Sequence, residues 1–339
     1  MIHHFLKIPI DLPLFSQFSD LIQKACCRDA SLSSPLFYDI ETTGSQRNSD
    51  PVYLVGMVWE EQGHWEGLQL LAETPEEEPE LLKQFGEQLK KHSLTVQYYG
   101  DRFDQPFLEE RYRVNGIASP FENLPSLDLH RLLHPYKNGL ALKDFKQTSL
   151  EAFLNVPSRK HPDGRKCIQI YQASLLTPRT AYSEALLGHN EEDLLGMIQI
   201  LHLLPCLQFS VPCFMVTEIL MEGESLHFGV TYEQEICGSF SLTSPLFSFT
   251  ARGCEGQLQI PISSGAIRNF YRNYKDYDYL PEEDTALPKS LSAGLSRSSR
   301  RKATPETCYT WIPLTEDFLR DFSIQDQYVN HNLPILVSL

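Results

Sequence analysis

The sequence predicts an α/β fold, a mixed sheet of about five strands flanked by helices, followed by a smaller β-rich C-terminal module. Three observations predict it. Between residues 36 and 204, short apolar runs bounded by turn residues alternate with amphipathic helical segments. The first three of those runs follow one another with no helix between them, as an antiparallel meander does. After Pro205 the texture changes to alternating, turn-punctuated segments: SLHFGVTYEQ, GSFSLTSPLFSFTARG and QLQIPISSG.

The 339 residues and 42% hydrophobic content allow one large or two modest domains with a full core. Three spans are expected: a lead-in over 1–35, the α/β domain over 36–204, and the β-rich module over 205–339 with a mobile loop near 285–305. No apolar run approaches the roughly twenty residues of a membrane span. The start, MIHHFLKIPIDLPLFSQF, is broken by Lys7, Pro9, Asp11 and Pro13 before a signal-peptide core can form. The expected location is therefore cytoplasmic, with no membrane partner. Eight cysteines include the adjacent Cys26 and Cys27 but no C-x-x-C. That scatter argues against a zinc knuckle and predicts reduced, mostly core thiols. A formal net charge of −15 speaks against a protein that coats nucleic acid electrostatically. It leaves open an enzyme whose acids are neutralised by metal in the site itself.

In chain order, residues 15–25 carry the spacing of a short amphipathic helix (Phe15, Phe18, Leu21, Ile22, Ala25). The stretch 36–44, LFYDIETTG, then reads as a strand that delivers Asp39 and Glu41 two residues apart, on one face. Alone, a D-x-E tripeptide is more often an exposed strand end. PVYLVGMVW (51–59) and HWEGLQLLA are the next two strands, joined by a turn at 60–63. The acidic run ETPEEEPE suits a helix N-terminus, with Leu81, Leu82, Phe85 and Leu89 as its apolar stripe. A fourth strand over 94–99 leads through Gly100 into a helix marked by Phe103, Phe107, Leu108 and Tyr112. Asp101 and Asp104 lie near its start, where one of them could cap it. From Leu124 the reading is mostly helical, through SLDLHRLL and LKDFKQTSLEAFL, and SRKHPDGRKC is a polar surface loop. TAYSEALLGHNEEDLLGMIQILHLL is a long helix on which His189 and Asp193, four apart, share a face. An exposed ion pair would account for them equally well.

In the C-terminal part, Tyr271, Tyr274, Tyr277 and Tyr279 with Arg268, Arg272 and Lys275 could stack bases and hold phosphates, or form the core and rim of a small module. A Ser-rich basic tract follows over 290–302.

Taken together, Asp39, Glu41, Asp104 and Asp193 with His189 make a set of four carboxylates and a base. Phosphodiester hydrolysis uses such a set: two hard cations about 3.5 to 4 Å apart activate water and stabilise the leaving oxygen, while an imidazole takes the proton.

Residues 36–204 resemble the ribonuclease H-like superfamily of DEDD 3′-5′ exonucleases, in particular the bacterial YprB-type ribonuclease H-like domain. Four blocks carry the resemblance in order: YDIETTG at Asp39 and Glu41, G-x-x-FD-x-P-FL over 100–108, SLE-x-FL over 149–154, and HNEEDLLG over 189–196. The resemblance implies Asp39, Glu41, Asp104 and Asp193 as ligands of two divalent cations, Mg²⁺ or Mn²⁺, and His189 as general base. Asp39 would bridge both ions. It also implies single-stranded DNA or RNA ends as substrate. The histidine-type branch usually places its histidine five residues before the last aspartate. Here the separation is four, the spacing of the tyrosine-type branch, so His189 stands in the tyrosine position. Asp101 is an extra acid in the second block. A stretch beginning at Tyr271 also looks similar to C-terminal extensions of some relatives. Two other readings stay open: a catalytically silent nucleic-acid-binding or adaptor protein, and a phosphodiesterase for short nucleotides.

Overall fold

The computed structural model describes residues 1–9, 11–26 and 32–339. Cys27 lies outside the described residues. The chain divides into two compact units, residues 1–134 with 143–204, and residues 135–142 with 205–339.

In the first unit the strands are β1 (Ile2–Phe5), β2 (Pro35–Thr42), β3 (Val52–Glu61), β4 (His64–Leu71), β5 (Leu94–Gln97) and β6 (Ser126–Asp128). They form one mixed sheet in the order β1-β4-β3-β2-β5-β6. The first four pair antiparallel, whereas β5 joins β2, and β6 joins β5, in parallel. The β3–β4 hairpin closes on Gln62 and Gly63, with φ of 51° and 83°, a two-residue turn whose twist matches the strands. A parallel neighbour for β2 needs a crossover. The helix over Glu78–Leu89 supplies it.

The helices are α1 (Ser19–Cys26), α2 (Glu78–Leu89), α3 (Asp104–Val114), α4 (Leu129–Leu133), α5 (Gln147–Phe153), α6 (Gly164–Leu176) and α7 (Thr180–Ile200). One sheet face packs Leu36, Tyr38, Ile40, Val55 and Met57 against Leu81, Leu82 and Phe85 of α2 and Phe107, Leu108 and Tyr112 of α3. A second cluster joins Tyr53, Leu54 and Leu71 to Cys167 and Tyr171 of α6 and Leu186 of α7. Held between neighbours on both sides, β2 buries Leu36, Phe37 and Tyr38 completely. Glu78, from the acidic run, is also buried. It accepts from the Val52 N–H at 2.8 Å and from Arg111 at 2.8 and 2.6 Å.

Several expectations change. The lead-in contains β1, which lines up with β4 from Ile2↔Leu71 to Phe5↔Leu68. SLD is a strand rather than the start of a helix, because its pairing with β5 outweighs its local pattern. Leu142 and Phe145 precede α5, and GRKC opens α6 with Asp163 as the cap that accepts from the Lys166 N–H. Thr180–Ser210 contains a window of mean hydropathy 1.2 that is long and apolar enough for a membrane span, yet 72% of it is buried inside the protein. It includes the long helix read from the sequence, and most of that window is core. Among the described cysteines Cys167, Cys206 and Cys308 are buried, but Cys237 and Cys254 are exposed, so the thiols are not mostly core.

In the second unit, β7 (Met215–Glu222), β8 (Ser225–Ser244) and β9 (Phe247–Pro261) form an antiparallel meander. Phe209, Phe240 and Phe249 pack at its base, with ring centroids 4.8 and 5.3 Å from Phe209. Smaller sheets follow: β10 (Ala266–Phe270), β11 (Tyr277–Leu280), β12 (Thr285–Pro288), β13 (Arg301–Lys302) and β14 (Tyr309–Pro313) pair as β10-β14 and β12-β11-β13. Three helices complete it, α8 (Lys289–Ser292), α9 (Glu316–Arg320) and α10 (Phe322–Leu336). Helix α10 was not foreseen, and it packs Tyr328 flat on Phe228 at 5.6 Å. The tyrosines of the aromatic stretch serve packing: Tyr271 stacks on Tyr277 at 5.2 Å beside Ala286, Ala303 and Cys308. The tract 290–302, expected as a mobile loop, contributes the end of α8 and all of β13.

Candidate active site

Alternation along β2 sends Leu36, Tyr38 and Ile40 to the α2–α3 face, and therefore Phe37, Asp39 and Glu41 to the other. Helix α7 meets Asp39 and Glu41 there. In the ladder Asp39 pairs with Gly56, and Gly56 pairs with Gln69 on β4. The three residues make a row across the sheet. Asn190 of α7 spans that row: its Nδ2 donates to Asp39 Oδ2 at 2.8 Å, and its Oδ1 accepts from Gln69 Nε2 at 2.8 Å. Only glycine permits this approach, since a Cβ at residue 56 would lie 1.9 Å from Asn190 Oδ1 and 2.7 Å from Leu194.

One turn of the same helix brings His189 and Asp193 over Glu41. His189 Nε2 lies 3.1 Å from Glu41 Oε1 and 3.4 Å from Asp193 Oδ2, and the Tyr53 hydroxyl donates to Glu41 Oε2 at 3.4 Å. Ligand atoms of Glu41, His189 and Asp193 all fall within 4.8 Å of one another. The segment read as a surface loop delivers Arg159 to this cluster. Its Nη1 donates to Asp193 Oδ1 at 2.5 Å, while Nε and Nη2 hold Glu151 at 3.0 and 2.6 Å. Glu151, in the SLE-x-FL block, also accepts from Gln147 at 3.1 Å. The block therefore orients the guanidinium that reaches Asp193.

Asp104 arrives by a different route. After β5 the chain turns through Tyr99, whose φ is +64°, and Asp128 ties that turn by accepting from the N–H groups of Tyr99 and Asp101 at 3.0 and 3.2 Å. Helix α3 then begins with Asp104 as its first residue, buried. The capping expectation fails: the residue before the helix is Phe103, and no side chain caps it. Asp101 is held away from that role by Arg131 at 2.7 Å and by Ser126 at 2.8 Å.

Burial lifts all four acids above the ordinary carboxylate range. For Asp39 the lift is large, reinforced by the charges of Asp193, Asp104 and Glu41 and opposed by Asn190. Asp104 is pushed up to about 7, by burial and then by the charges of Glu41, Asp128 and Asp193 against the pull of its own N–H. Glu41 is raised by burial although His189 pulls it down. Asp193 is raised too, so burial outweighs Arg159 and His189. Burial alone would lower His189; the hydrogen bond and charge of Glu41, with Asp193, raise it instead.

The structure thus gathers Glu41, His189 and Asp193 in one cluster, ties Asp39 to the same helix through Asn190, and sets Asp104 near enough for its charge to act on Asp39. Sequence reading missed Asn190, Arg159, Glu151 and Asp128. Asn190 stood beside His189 in the same block, but its partners Asp39 and Gln69 lie more than a hundred residues away, and Glu151 stood within another block, its partners Gln147 and Arg159 four and eight residues off. The donor set suits a hard cation: carboxylate oxygens with one ring nitrogen, buried, and electrostatically strained by mutual repulsion. Neither Asp39 nor Asp104 pairs with a basic side chain among the described residues. They fit a bound divalent metal.

The sheet order, flanking helices and acidic cluster define a ribonuclease H-like fold, followed by the smaller β-rich sheets. Residues 36–204 match the RNase_H_2 family model, of the RNase_H superfamily. That match, with the acidic and histidine cluster, supports a nuclease. No curated protein matches the chain. Among solved structures, the family B DNA polymerase of the hyperthermophilic archaeon Pyrobaculum calidifontis is similar at 18% identity and a TM-score of 0.42. The similarity covers 52% of this chain and 25% of the polymerase, so the chain spans about a quarter of that protein's length.

Proposed function

We propose that the chain is a metal-dependent nuclease of the DEDD type, a 3′-5′ exonuclease related to the YprB-type domain, acting on single-stranded DNA or RNA ends in the cytoplasm. The observation that carries this reading is the meeting of Asp39 and Glu41 from β2 with His189 and Asp193 from α7, ligand atoms of the last three lying within 4.8 Å. Asp39, Glu41, Asp104 and Asp193 would hold two divalent cations, Mg²⁺ or Mn²⁺, which when bound supply an activated water and charge stabilisation at the leaving oxygen.

The chain's own residues do the rest. Asn190 fixes the carboxylate of Asp39 in one rotamer, and the amide row through Gln69 fixes Asn190. His189 takes up the proton released from the attacking water at Nε2, where Glu41 and Asp193 stabilise the imidazolium. Packing of α7 over β2 excludes bulk water from the acids, which strengthens each electrostatic interaction there.

One observation favours a catalytically silent, nucleic-acid-binding reading: Arg159 already supplies a cation to Asp193 Oδ1. A degradation time course decides between them. Purified chain with Mn²⁺ or Mg²⁺ is given end-labelled single-stranded DNA and RNA, beside Asp39→Asn and His189→Gln variants. The nuclease reading expects stepwise shortening from the 3′ end, abolished in the Asp39 variant. Absence of metal-dependent cleavage by a folded chain selects the silent reading.

A further inference from the structure

Residues 289–302, KSLSAGLSRSSRRK, hold five basic residues and no acid, in a chain of net charge −15. All five, Lys289, Arg297, Arg300, Arg301 and Lys302, line one pocket of about 330 Å³ in the second unit, and Asp278 is the acid among its lining residues. That acid is engaged internally. It is buried, and accepts from the Ser292 hydroxyl at 2.6 Å and from Arg300 Nη1 at 2.8 Å. Strand β13 pairs with β11 at Asp278↔Lys302 and Tyr279↔Arg301, which fixes two of the cations on a ladder. A turn closed by the Ser299 N–H on the Ser296 carbonyl carries Arg297. Five cations against one carboxylate leave a local charge of +4 (5 − 1). Arg297, Arg301 and Lys302 have no ion-pair partner among the described residues, so their mutual repulsion is relieved only from outside.

We propose that this pocket is a phosphate-binding site for the backbone of single-stranded nucleic acid. Guanidinium groups present paired N–H donors that match phosphate oxygens, and a run of phosphates satisfies several cations at once, which a lone carboxylate cannot. The choice of nucleic acid over other polyanions rests on the nuclease reading.

The test needs no turnover. Binding of a fluorescent twelve-nucleotide oligothymidylate to the full chain in EDTA is followed by anisotropy across a salt series. The variant is Arg297→Gln/Arg301→Gln/Lys302→Gln, and the control, with the same loss of charge, is Lys83→Gln/Lys90→Gln/Lys91→Gln on exposed positions of the first unit. Each lost phosphate contact removes about 0.7 from the slope of log affinity against log salt for a single strand, so the pocket variant should lose about 2. The control should keep its slope. Equal slopes for wild type and pocket variant, or equal losses in variant and control, would overturn the proposal. So would pocket-dependent binding to phosphatidylserine vesicles without binding to the oligonucleotide, which would assign the site to a membrane surface. An inactive chain that still shows the pocket-dependent slope would sink the nuclease reading and leave the site standing, whereas an active chain with an unchanged slope would sink the site alone.

Discussion

Asn190 crosses the sheet directly over Gly56, and the missing side chain of one is the space taken by the amide of the other. The carboxylate of Asp39 is held from that amide. Replacing Gly56 with alanine should push α7 off β3, at a cost of about 1 to 3 kcal/mol for an overpacked contact. Denaturant unfolding measures the loss, and isothermal titration with Mn²⁺ should show weaker binding as Asp39 loses its support. Unchanged stability would mean that the helix yields freely there.

Arg159 competes with any cation for Asp193. In EDTA, Arg159→Gln should lower stability by about 3 kcal/mol, because Glu151 is left buried and Asp193 half-buried without their partner. Mn²⁺ should restore more stability to the variant than to the wild type, since ligand binding to the folded state raises its apparent stability. Melting temperatures with and without metal read this out. Equal metal-induced shifts would show that Arg159 and the cation do not share Asp193.

Glu78 and Arg111 form a bidentate pair with side chains only 3% and 7% exposed. Glu78→Gln or Arg111→Met alone should each cost about 3 to 5 kcal/mol, while the double variant should cost less than the sum. Additive losses in urea unfolding would contradict a coupled pair.

His92 is partly buried between Ser34, at 3.1 Å, and the ring of Trp59, at 5.9 Å. Burial, then the charge of Lys91, lowers its pKa in the folded state. The unfolded chain therefore takes up the proton first as pH falls below about 6.5. Stability present above that pH is lost as pH falls through the folded value. In thermal melts from pH 7.5 to 5.5 the wild type should lose more stability, or gain less, than His92→Gln, and parallel curves for the two would contradict a buried neutral imidazole.

Much of the first unit was legible because its signals are local. The D-x-E strand, the hairpin at Gln62 and Gly63 and the apolar stripe of α2 each declare themselves within a few residues. The five candidate site residues were singled out differently, by their combination and the order of their blocks, since each pair taken alone had an ordinary reading. What escaped was set by distant partners. Four residues of β1 and three of β6 are too short for a periodic signal and become strands by pairing with β4 and β5. Arg159 lay in a segment with every mark of a solvated loop, and its place in the cluster follows from Glu151 and Asp193. In the second unit, the aromatic and basic texture told nothing of which cations were free: Arg268 lies under Tyr309 and Trp311, at 4.9 and 4.6 Å, whereas Arg301 faces outward from β13.

The hydrogen bond from Asn190 to Asp39 spans 151 positions of the chain. The β3–β4 hairpin closes across two residues, but the bond that completes the acid cluster waits on one of the longest loop closures in the first unit. Contacts of such separation are made late, after their entropy has been offset by nearer ones. A chain in which α7 has not docked on β2 therefore keeps Asp193 and His189 away from Asp39 and Glu41, which the strand already holds side by side.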